Sequence, residues 1–216
     1  MYSRKTQQPY LKPVIPYLWI ALILNLCINA ITTLQVQYHF PHWLKTNNYL
    51  YNIHSCLRFF SFSIFFIRLK QPYLVRVKKL VFILFIIFLF LNFSFVDHFF
   101  YFDLISANLH MVESGLLLFY CLQYYLYLLL IEDTWFIKDT PSFWLVTGLS
   151  IFIVISLPIY IFYKQLVFHD IDFGINVWLV QKIAFLVFSL LTAISILQPE
   201  QNNGQIVKPQ VVKSRR

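Results

Sequence analysis

Six apolar runs separated by polar segments divide this chain, over residues 14–34, 49–68, 80–96, 104–131, 142–163 and 175–197. Each is long enough as an α-helix to cross a bilayer, and none alternates as a half-buried strand would. The pattern predicts an all-α, polytopic transmembrane bundle of six spans. Pro16 near the start of the first run suits a first helical turn, and Asp139-Thr140-Pro141 reads as an N-cap followed by proline at the first position. Pro158 inside the fifth run predicts a kink, because proline removes a backbone donor. Residues 1–13 and 198–216 fall outside the bundle. The second of these segments is polar, basic and proline-containing, which predicts a disordered tail.

The fourth run, LISANLHMVESGLLLFYCLQYYLYLLLI, differs from the others by carrying a carboxylate. At helical spacing Ser106, His110 and Glu113 share one face, which Leu117, Tyr120 and Tyr124 continue. A carboxylate at such depth costs about 2.5–3.5 kcal/mol on insertion scales. Glu113 is therefore expected to face protein or water, not lipid.

Two other runs carry charge at a similar depth, Arg58 in the second and Lys182 in the sixth. By helical rise all three lie roughly 10–14 Å from the same end of the bundle. His54 precedes Arg58 by four residues, His110 precedes Glu113 by three, and Asn25 and Asn29 are four apart on the first run. The candidate polar layer is thus Arg58, Glu113, Lys182, His54, His110, Asn25 and Asn29. One reading is a pocket in which Arg58 or Lys182 binds a small anionic ligand. The other is a closed ion pair of Glu113 with Arg58 or Lys182 that sets helix register, Lys182 either pairing or snorkelling outward and the histidines and asparagines bonding between helices. The tyrosines at 120, 124, 125 and 127 are expected to pack near one boundary.

Composition agrees with the pattern. Phe supplies 24 of 216 residues, apolar types 59% and charged types 12%, so no large soluble domain is present. The formal charge of +8 would suit nucleic acid, but the basic residues stand in segments between apolar runs, where they act as topology determinants. Thirteen of the 17 basic residues, including the cluster RLKQPYLVRVKK, fall on the side of the N-terminus. Only Lys45 and Lys164 fall opposite, and Arg58 and Lys182 lie within runs. The positive-inside rule then places both termini in the cytoplasm and the polar layer toward the outer face of a cytoplasmic membrane. The apolar run after the N-terminal segment is too long for a signal peptide and reads as an uncleaved span. The expected partners are the lipid bilayer, a small anionic ligand and a membrane protein, with no nucleic acid.

Candidate chemistry is sparse. Cys27, Cys56 and Cys121 all lie in runs and read as buried thiols. No CxxC, HExxH or paired Cys/His spacing marks a metal site, and no cofactor motif is present. His110 and Glu113 could support acid–base work, but Ser114 lacks a nucleophile elbow. No matched halves or broken-helix pairs suggest a transporter. A non-catalytic sensory or accessory subunit is therefore preferred, ahead of a solute or ion transporter or a purely structural interaction protein.

One longer pattern remains. Glu113-Ser114 in a Tyr/Leu-rich span, an acidic loop and then Pro141-x-Phe143-Trp144-x-x-x-Gly148 resemble an uncharacterised bacterial family of seven-span integral membrane proteins. The resemblance runs from about residue 48 to residue 197. It implies a helical bundle from which this chain lacks the first span, with Arg58 and Lys182 as departures within the polar layer.

Overall fold

The computed structural model describes residues 8–37, 47–69, 71, 75–97, 106–130, 140–163 and 171–198, and all its regular structure is helical. Six helices follow in chain order: α1 Val14–Gln37, α2 Asn48–Arg68, α3 Val75–Leu91, α4 Ala107–Leu129, α5 Pro141–Ile161 and α6 Ile171–Leu197. A π turn, Asn92–Val96, extends α3. Six segments are long and apolar enough to cross a membrane, so the chain has the architecture of a multi-pass membrane protein. The expected order and disorder of residues 1–7 and 199–216, and the loops bearing Lys45 and Lys164, lie outside the described residues.

Several boundaries have visible causes. Ser106 does not enter the fourth helix as its spacing suggests; it caps it, its hydroxyl accepting from the Leu109 amide. The same hydroxyl donates to Asp97 at 2.5 Å, joining the end of α3 to the start of α4. Thr140 is extended and Pro141 opens α5 as expected, while α5 runs through Pro158 to Ile161. The third helix begins at Val75, five residues before its apolar run, and so draws Lys78 out of the basic loop into the fold.

Helices α2, α4 and α5 make the centre. Half of the span residues of α2 and α5 are buried, against 17% for α3, whose Ile83, Ile86, Ile87 and Phe90 point outward. Such an apolar exterior is what lipid demands. Helix α4 packs against α2, α3 and α5, and α6 lies along α5. That last contact is close because residue 148 is glycine: a Cβ there would stand 2.9 Å from the Leu191 Cβ. Aromatic rings fill the interior, with Phe59 stacked on Phe85 at 3.7 Å and Phe66 on Tyr120 at 5.2 Å. Of the three cysteines only Cys121 is fully buried; Cys56 is partly so and Cys27 is exposed, since α1 buries only a narrow stripe.

Candidate functional site

The face predicted for α4 is the inward one: Ser106, His110, Glu113, Leu117, Tyr120 and Tyr124 are all buried. Glu113 is completely enclosed and meets Arg58 from α2. Arg58 donates twice, from Nε to Oε1 at 2.5 Å and from Nη2 to Oε2 at 2.6 Å. This two-pronged geometry matches the guanidinium fork to the carboxylate. Ser55, one turn before Arg58, donates a third bond to Oε2 at 2.5 Å. The ring of Phe152 on α5 lies 4.8 Å from the Arg58 guanidinium carbon and supplies a cation–π contact. The carboxylate is thus fully satisfied, as burial at this depth requires.

Beside the pair lies a cleft of about 120 Å³ between the helices. Arg58, His54 and Tyr51 reach it from α2, and His110 from α4. Phe152 and Tyr160 come from α5, and Trp178, Gln181, Lys182 and Phe185 from α6. Glu113 is not in its wall. The closed pair and the cleft, which the sequence presents as alternatives, therefore coexist, with Arg58 belonging to both.

Polar groups in the cleft are incompletely used. His110 is 3% exposed, stacks on Tyr160 at 4.5 Å, and neither of its ring nitrogens has a hydrogen-bond partner. Its Nδ1 stands 3.9 Å from Glu113 Oε2, beyond hydrogen-bond range, so the two do not form a direct acid–base couple. Gln181 donates from Nε2 to the Tyr160 hydroxyl at 2.5 Å, which leaves its buried Oε1 without a partner. His54 is better served: its Nε2 meets the Tyr17 hydroxyl at 3.2 Å, and the two rings stack.

Three sequence expectations need correction. Lys182 does not reach Glu113. It is exposed at the cleft margin, because adjacent helical residues point about 100° apart and the inward position belongs to Gln181. Asn29 is exposed and takes no part in the polar layer, since α1 packs chiefly on α2 along a stripe that omits it. Asn25 touches the cleft, but its amide nitrogen is turned back to the Ala21 carbonyl at 2.8 Å.

Spacing alone could have signalled Ser55, three residues before Arg58, and Gln181, a polar neighbour of Lys182 within an apolar run. Nothing in the sequence distinguishes Phe152, Trp178 and Phe185 from the many aromatics around them. Among the described residues no cluster of histidine, cysteine and acidic side chains could hold a metal. No family model, curated protein or solved structure matches the chain.

Proposed function

We propose that this protein is a non-catalytic sensory or accessory subunit of the cytoplasmic membrane that binds a small anion in the cleft beside Arg58. The observation that carries this reading is the unused bonding capacity at the cleft. Buried polar groups are nearly always partnered, and His110 and Gln181 here have three unpartnered atoms in its wall. Aromatic walls with a few convergent polar groups are the usual form of a small-molecule site. Lys182 and the Glu113-paired Arg58 line the cleft and, among the described residues, no carboxylate does, so the favoured ligand is anionic.

Orientation follows from the distribution of basic residues. Lys78 no longer counts as a loop charge, yet the bias to the N-terminal side stays large without it. On this reading both termini are cytoplasmic and the cleft opens toward the outer face. The resemblance to seven-span bacterial proteins contributes architecture to this proposal and no activity.

The test is a thermal-shift screen of small anions and neutral analogues on the full chain in detergent. A ligand at about one hundred times its Kd should stabilise the fold by about 2.7 kcal/mol. The reading is lost if no anion stabilises the protein at millimolar concentration while the chain unfolds cooperatively.

A further inference from the structure

The charge, volume and walls of the cleft define its ligand more narrowly, on the premise that it is a binding site. Arg58 is neutralised by Glu113 through two hydrogen bonds, so that pair brings no net charge to the cleft. Lys182 is the remaining cation in the wall, and among the described residues it has no ion-pair partner. A single uncompensated positive charge suits a monoanion. A dianion such as phosphate would enter a low-dielectric space with half its charge unmatched.

Volume sets the second limit. A cavity of about 150 Å³ in another protein holds benzene. This cleft, at about 120 Å³, has room for something smaller. Its walls set the third. Tyr51, Phe152, Trp178 and Phe185 present aromatic surface, which a hydrated inorganic ion does not use but a short hydrocarbon tail does. The unpartnered imidazole of His110 can donate one further bond to an anionic oxygen.

We infer that the cleft takes a short-chain monocarboxylate of roughly two or three carbons, its carboxylate held by Lys182 and His110 and its tail against the aromatic walls. Lys182 is the specificity residue for charge. It is exposed, so its replacement leaves the core intact.

The experiment titrates the full chain in detergent with sodium acetate, propionate, butyrate, benzoate, chloride and phosphate at matched ionic strength, following the unfolding temperature. Propionate should give the largest saturable upward shift, with acetate and butyrate weaker and benzoate inactive. Lys182→Gln should weaken binding about tenfold or more, and Lys182→Arg should restore most of it. Saturable binding of chloride or phosphate without propionate would overturn the carboxylate assignment and leave the binding site standing. Undiminished propionate binding by Lys182→Gln would overturn the role of Lys182. Failure of every anion would remove both the assignment and the binding reading on which it rests.

Discussion

Two buried cations in this protein are held in different ways. Arg58, about ten residues into α2, meets a full carboxylate charge through both prongs of its guanidinium and has an aromatic ring over it. Lys78, in the first turn of α3, is 1% exposed, and among the described residues its partners are neutral oxygens. Its Nζ donates to Gln71 Oε1 at 2.5 Å and to the Phe66 carbonyl at 3.2 Å. Phe66 lies in the last turn of α2, where carbonyls lack helical partners and the helix dipole is negative. A partial charge of that kind suffices near a helix end. Deep in the bundle, where no helix terminus is at hand, only a formal opposite charge offsets desolvation.

The difference can be broken most directly at the deep pair. Glu113→Gln leaves Arg58 buried and unpaired, and should destabilise the fold by about 3–5 kcal/mol in reversible unfolding from detergent. Adding Arg58→Met removes the second charge and should recover most of that loss. A double variant as unstable as Glu113→Gln alone would show that the pair is not where the energy resides.

A smaller effect is expected at the helix end. Lys78→Met preserves the buried stem but leaves the Gln71 and Phe66 oxygens without their donor. It should cost about 1–3 kcal/mol by the same unfolding assay, the penalty of unsatisfied buried acceptors. If it costs as much as Glu113→Gln, the contrast between a formal charge and a helix terminus fails.

Lys182 sharpens the comparison from the other side. It is an exposed cation without a partner among the described residues, so Lys182→Gln should change ligand-free stability by less than about 0.5 kcal/mol. A large loss would mean that Lys182 supports the fold.

Much of the architecture was legible from one-dimensional pattern. Six apolar runs of membrane-spanning length determine six helices, because unpaired backbone polar groups cannot face lipid. The inward face of α4 was equally legible, since a lone carboxylate in an apolar run leaves one tolerable orientation. Glu113 needs a basic partner for the same reason, and Arg58 was among the candidates.

The choice between Arg58 and Lys182 belonged to tertiary structure. Both stood at suitable depth, and the rotation of α6 about its axis decided it by turning Gln181 inward and Lys182 outward. Asn29 and Cys27 were misjudged for a related reason: in a membrane the outer surface is as apolar as the core, so hydropathy does not reveal which side of α1 meets protein. Lys78 shows the converse. Its basic neighbours mark a loop, but the end of α2 offers it oxygen ligands and α3 extends to meet them. Span length and the expense of isolated charge act within one helix, and the sequence by itself determines them. Which side chains meet depends on how several helices are rotated against one another, and only the packed bundle decides that.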